Sequence, residues 1–368
     1  ARHALLARED EMTVEAADLR TGHRISRVIK GGWQLAGDHG EVRPAQAIAD
    51  MEAFLDAGIT TFDCADIYKG VEDMIGAFIA DVRHRRGAEA AGRVVVHTKL
   101  VPDLGRLDDI RPDEIEAIVD RSLQRLKVDR LPLVQFFWWD MTRGDPVGAL
   151  AVLKDCQRKG KIATLGVTNW DTPAMDRFID AGYDVASAQV QYSLLDRRPA
   201  GAFAGWCARR NVHILCYGTL AGGFLTEHWL GRPDPGFAFE NRSLVKYRLI
   251  IDDFGSWDLF QSLLATLKSI GDRHGVALSS VATRWVLDQP QVAAAIVGAR
   301  YARHLPQTLE VFRLALDDAD RAAIAAILAQ APGPGGPVYG LEGDRSGRHG
   351  RIMKYNLNAN PNDKVLGS

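Results

Sequence analysis

The chain has 368 residues and a formal net charge of −2, a balance that argues against a nucleic-acid or other polyanion surface. Apolar residues make up 46% of it, ample for a core, yet no apolar run is long enough to span a bilayer. The opening ARHALLAREDEMTVEAADLR has no signal-peptide apolar region, and Cys64, Cys156, Cys207 and Cys216 lack C-x-x-C spacing. Free thiols in a reducing, cytoplasmic setting are therefore expected.

Eight short apolar runs follow: RISRVIKGG (24–32), ITTFDCA (59–65), RVVVHTKL (93–100), LPLVQFFW (131–138), IATLGVT (162–168), DVASAQVQY (184–192), VHILCYG (212–218) and VAAAIVG (292–298). Nearly every position in them is apolar or β-branched, as in strands buried on both faces. The intervening segments read as helices. PAQAIADMEAFLDAG (44–58) puts Ile48, Met51, Phe54 and Leu55 on one face, with Gly58 beyond its last turn. RPDEIEAIVDRSLQRL (111–126) starts with Pro112 and carries Ile115, Ile118, Val119 and Leu126 as a stripe. Residues 171–182 and 199–211 repeat the theme.

Eight strands alternating with helices predict an α/β fold, a closed (β/α)8 TIM barrel over residues 1–331. An open doubly wound sheet would need a glycine-rich phosphate loop after the first strand, and GGWQLAGDHG is not G-x-G-x-x-G opening a helix. Residues 223–256 read as a long insertion after the seventh strand, on the side where barrels keep their active sites. Residues 332–368 read as a C-terminal tail without a core pattern, either flexible or an arm that docks on a neighbour in an oligomer.

Barrel chemistry collects at the C-terminal ends of strands. There the second strand delivers Asp63 and, five positions on, Tyr68; the third delivers His97 and Lys99. A phenol titrates near ~10 and is a sluggish acid at neutral pH. A neighbouring ammonium favours the phenolate, and a carboxylate anchors that ammonium, giving a tyrosine able to protonate a carbonyl oxygen. A structural ion pair at the rim is the competing interpretation, and these three residues alone leave both open. His97 reads as core or lining.

The surrounding pattern, FDCADIYKGVEDMIG (62–76) and VVHTKL (95–100), resembles the aldo-keto reductase signature. LGVTNW (165–170), SAQVQYSLLDRR (187–198), YGTLAGGFLT (217–226) and VGARYARHLPQT (297–308) are similar to that family's cofactor segments, in order. The resemblance covers roughly residues 24–330. It implies NADP(H) at the C-terminal rim and a small carbonyl or alcohol substrate. Asp63, Tyr68 and Lys99 fall on three members of the family's catalytic tetrad. Thr168, Asn169 and Gln189 fall on carboxamide-holding positions, and Tyr217 on a nicotinamide-stacking ring. Gly218, Leu220 and Gly222 begin the pyrophosphate loop. Gly298, Arg300, Gln307 and Thr308 lie in the adenosine 2′-phosphate segment, and Arg242 is a further phosphate candidate.

VQFFWWD (134–140) resembles the family's fourth strand, in which Phe137 stands where a histidine completes the tetrad. Phenylalanine donates no hydrogen bond, and losing one oxyanion donor costs on the order of 10²–10³ in rate. Trp138 and Trp139 are expected to wall the substrate pocket, and Trp33 to line it or cover the cofactor. Two alternatives to a reductase remain open: a redox-neutral lyase, dehydratase or isomerase, or a non-catalytic NADP(H)-binding subunit. Trp206, Trp257 and Trp285 read as packing residues, Cys64 and Cys216 as small core residues, and no metal constellation is expected.

Overall fold

The computed structural model describes residues 13–36, 42–239 and 241–358. Most of the opening segment read for a leader, and the tail beyond 358, lie outside the described residues. Two strands, β1 (Ala16–Arg20) and β2 (His23–Ser26), form an antiparallel hairpin. Eight parallel strands then close a barrel: β3 (Val28–Gly31), β4 (Thr61–Asp63), β5 (Val95–Leu100), β6 (Leu131–Phe136), β7 (Ile162–Thr168), β8 (Ser187–Gln191), β9 (His213–Tyr217) and β10 (Val292–Val297), with β10 pairing β3. The (β/α)8 expectation holds.

The helices are α1 (Pro44–Asp56), α2 (Val71–Gly92), α3 (Pro112–Leu126), α4 (Pro146–Arg158), α5 (Thr172–Asp180), α6 (Ala202–Arg210), α7 (Arg242–Phe254), α8 (Trp257–His274), α9 (Leu278–Leu287), α10 (Leu305–Leu309), α11 (Asp318–Leu328) and α12 (Gly340–Gly343). Their starts follow local chemistry. Proline occupies the first turn of α1, α3, α4 and α5, while Asp145 and Asp171 accept from Gly148 N and Ala174 N. Gly76 lets α2 approach α3 closely, since a Cβ there would collide with the Arg125 carbonyl.

The first expected strand divides. Residues 23–26 belong to the hairpin and 28–31 to the barrel, because Arg27 turns outward and donates to the carbonyls of Leu287, Val292 and Ala293. The hairpin closes the N-terminal end of the barrel, where Leu19 and Ile25 pack with the inward-facing Ile29, Leu133 and Leu215. There His23 Nε2 lies 3.1 Å from His97 Nε2, and both rings are buried. His97 is thus core, one pleat below Lys99.

The insertion is not a loop throughout. It contains α7, whose Ile250, Ile251 and Phe254 join Phe224, Phe260 and Leu263 in a second core cluster. The tail also differs from a patternless extension. From Val338 to Asn358 it folds back over its own barrel: Val338 enters the main core, Tyr355 O accepts from Leu104 N at 2.9 Å, and Asn358 bonds Asp103 and Val101. His349 Nε2 meets Asp253 Oδ2 at 2.7 Å, beside an Arg348–Asp253 ion pair. No described helix is long and apolar enough to cross a membrane.

Candidate active site

Side chains alternate across a strand, so the inward positions of adjacent strands meet above the barrel floor. Asp63, Lys99, Gln135 and Gln189 meet there, and all four are buried. Lys99 Nζ donates to Asp63 Oδ2 at 2.5 Å and to Cys64 O at 2.9 Å. Asp63 Oδ1 accepts from Gln189 Nε2 at 2.7 Å and Gln135 Nε2 at 3.1 Å. Three donors thus hold the carboxylate and fix its geometry, which in turn fixes the ammonium. Lys99 Nζ sits 5.2 Å from the Tyr68 ring centre. The expected trio does gather.

Its electrostatics differ in one respect from the sequence expectation. Burial pushes the Tyr68 phenol up, and the Lys99 ammonium offsets that only in part because Asp63 pulls the other way. The net direction is upward, so the phenol is held protonated in the free protein. Burial opposes the Lys99 charge, yet Asp63 and Tyr68 raise its pKa overall.

These groups form the base of a cavity of about 820 Å³, near the upper end for small-molecule sites. Of the residues singled out from sequence, Trp33, Phe137, Trp139, Thr168, Asn169, Gln189, Tyr217, Gly218, Leu220, Gly222, Arg242, Gly298, Gln307 and Thr308 line it together with Asp63, Tyr68 and Lys99. Tyr217 donates its hydroxyl to Asn169 Oδ1 at 2.9 Å, and Asn169 takes a left-handed backbone to receive it. Trp33 Nε1 reaches Ser243 Oγ at 3.1 Å across the mouth, and Arg242 Nη1 reaches Ile352 O at 3.3 Å.

Two expected residues stand elsewhere. Trp138 does not wall the cavity: period-two alternation turns Phe137 and Trp139 inward and Phe136 and Trp138 outward. Trp138 packs on Phe136 and donates Nε1 to Arg143 O. Arg300 is not among the lining residues; its guanidinium lies 5.2 Å from the Tyr301 ring centre.

Several lining residues carried no sequence signal. Gln34, Lys246, Tyr247, Tyr339 and Met353 all face the cavity. Gly218 and Gly222, both at positive φ, are where the Tyr247 ring lies; a Cβ on Gly218 would come within 2.5 Å of its hydroxyl. Lys246 Nζ lies 5.0 Å from the Tyr217 ring centre and 3.9 Å from Glu342 Oε1. Burial pushes its pKa down. Tyr339 and Met353 come from the tail, so a segment expected to be flexible or to dock on a neighbour supplies part of the wall.

The cavity has the makings of a dinucleotide site. The buried Thr168 Oγ1 and Gln34 Oε1 have no hydrogen-bond partner, and buried polar atoms ordinarily find one. Gly223 has open space where a Cβ would stand, while Tyr247 lies over Gly218 and Gly222 and Gln34 over Gly298.

Known proteins are similar to this chain in sequence and fold. The aldo/keto reductase family model matches residues 27–329. Aldo-keto reductase YhdN of Bacillus subtilis is 28% identical over 331 residues, covering 87% of this chain and 95% of that protein. The glycerol dehydrogenase AKR11B4 of Gluconobacter oxydans superposes with a TM-score of 0.72 at 26% identity, covering 89% of this chain and 98% of that one. An aldo-keto reductase from Klebsiella pneumoniae, in complex with NADPH, superposes with a TM-score of 0.64 at 22% identity, covering 88% and 97%. With the barrel, the buried Asp–Lys pair and a family match across most of its length, this chain belongs to the aldo/keto reductase family.

Proposed function

We propose that the protein is an NADP(H)-dependent oxidoreductase acting on the carbonyl or alcohol carbon of a small apolar or sugar-like substrate. The observation that carries it is the Lys99 ammonium held at 2.5 Å from Asp63 beside Tyr68, at the base of one large cavity. Bound NADP(H) supplies or accepts the hydride. Thr168, Asn169 and Gln189 would hold its carboxamide, Tyr217 its ring, the 218–222 turn and Arg242 its phosphates, and Gly298, Gln307 and Thr308 its adenosine end. The Klebsiella pneumoniae relative crystallised with NADPH supports the choice of cofactor; Arg300, outside the lining, does not add to it.

Tyr68 gives its proton to the carbonyl oxygen as negative charge develops there, and Lys99 stabilises the phenolate left behind. Asp63, fixed by Gln135 and Gln189, keeps the ammonium in place. Phe137, Trp139 and Ile67 exclude water from the reacting carbon.

Following the nicotinamide absorbance during incubation with aldehydes, ketones and polyols tests this reading. Wild-type protein should consume NADPH with at least one carbonyl, and Tyr68→Phe should abolish consumption while still binding cofactor. Phe137 favours a second reading, a redox-neutral reaction. Substrate conversion with no net absorbance change would identify it.

A further inference from the structure

Phe137 cannot donate a hydrogen bond to a substrate oxygen, but the residue packed on it can. The Tyr339 ring lies edge-on to Phe137, with centroids 5.5 Å apart at 83°. Both line the cavity that holds Tyr68 and Lys99. Tyr339 is a non-glycine residue at φ 61°, an uncommon backbone state for an aromatic. It is held there by the start of α12 and by Glu342, three residues on, which is buried against Arg198. Among the described residues the Tyr339 hydroxyl makes no hydrogen bond. Burial keeps the phenol protonated, with Glu342 and Tyr355 acting in the same direction.

We propose that Tyr339 is a catalytic residue whose hydroxyl donates the second hydrogen bond to the substrate carbonyl oxygen, in the place Phe137 leaves without a donor. The proposal rests on the reductase reading. In it Tyr68 transfers a proton and Tyr339 does not: the Tyr339 O–H bond stays intact and its dipole stabilises the developing oxyanion. The C-terminal arm thereby completes the active site of its own chain.

Other donors nearby fit less well. The Tyr217 hydroxyl is committed to Asn169. Tyr247 lies against Gly218 and Gly222, but its phenol also feels Tyr68, so Tyr247→Phe is assayed beside Tyr339→Phe as the competing donor. The Trp139 indole N–H is buried with no hydrogen-bond partner, and its ring packs edge-on to Tyr355 at 5.1 Å.

The test measures NADPH-dependent reduction of 4-nitrobenzaldehyde by wild type, Tyr68→Phe, Tyr339→Phe, Tyr247→Phe, Trp139→Phe and Tyr339→Phe/Phe137→His, with NADPH affinity from fluorescence quenching. Tyr339→Phe keeps the ring packing and should lower kcat by about 10²-fold, the usual cost of an oxyanion donor, with cofactor affinity within about twofold. Adding Phe137→His to that variant should recover at least about tenfold, as a restored donor would. The proposal is overturned if Tyr68→Phe abolishes turnover while Tyr339→Phe stays within about threefold of wild type, or if Tyr247→Phe or Trp139→Phe carries the loss instead. Should wild type reduce no aldehyde, the reductase reading fails, and acetate binding to the NADP+ complex decides the role of Tyr339. Affinity about tenfold weaker in Tyr339→Phe supports a donor at the oxyanion position, and equal affinity overturns it.

Discussion

Arg198 and Glu342 are separated by 144 residues, yet each guanidinium Nη lies 3.0 Å from a different Glu342 oxygen. Neither side chain is more than 2% exposed. The same guanidinium pairs with Asp196 at 2.6 Å, and Lys246 approaches Glu342 from the cavity side. Two carboxylates and two cations thus form a neutral buried cluster that fastens the arm to the barrel.

Removing one charge from such a cluster leaves another uncompensated, at a cost of about 3–5 kcal/mol. Glu342→Gln should therefore release the arm before the barrel unfolds. Amide hydrogen exchange over residues 338–358 should quicken while the barrel strands keep their protection. Unchanged protection of the arm would show that its other contacts suffice.

The same carboxylate gives the arm an acid limit. Burial opposes the Glu342 charge, but Lys246 and Arg198 hold its pKa down at about 2, against an ordinary 4.5. A depressed folded-state pKa contributes stability that is complete above 4.5 and is lost as pH falls towards 2. Arm protection should decline across that window, and the decline should be shallower in Glu342→Gln.

With Tyr68 as the proposed acid, the upward direction of its phenol should set the pH dependence of catalysis. Carbonyl reduction uses the protonated form, so its rate should stay level through neutral pH and fall only above the ordinary phenol range of about 10. Alcohol oxidation uses the phenolate, so its rate should keep rising past that value. Replacing Lys99 with Met removes the ammonium that lowers this pKa, and should cut oxidation at a given pH more than it cuts cofactor binding. A pH–rate profile that turns over near neutrality would assign the acid to another group.

Gly218 offers a test that does not touch the proton-transfer groups. Its φ of 70° and its closeness to Tyr247 make Gly218→Ala costly twice, by about 1 kcal/mol for the backbone and more for the displaced ring. NADPH affinity should fall, measurable by fluorescence titration. An unchanged affinity would place the dinucleotide away from this turn.

The barrel was legible because its strands are buried on both faces and its helices are amphipathic, so periodicity marked both. The trio at its base was legible because strand ends are where such chemistry sits. The alternation of β6, carried on past its end at Phe136, also held the answer for Trp138. What the sequence concealed came from pairings distant along the chain. Nothing local marks Glu342 until Arg198 is set beside it, or Tyr339 until Phe137 is. Arg27 breaks the first strand through carbonyls more than 250 residues away. Such contacts leave no local period.

The β1–β2 hairpin gives the barrel a solid floor, with Leu19, Ile25 and the His23–His97 pair closing it from below. Among the described residues the well has no opening at that end, so in the proposed reaction substrate and cofactor would share the opposite rim. The returning arm lies along that rim, so in the proposed enzyme loosening it should change how fast the well exchanges its contents.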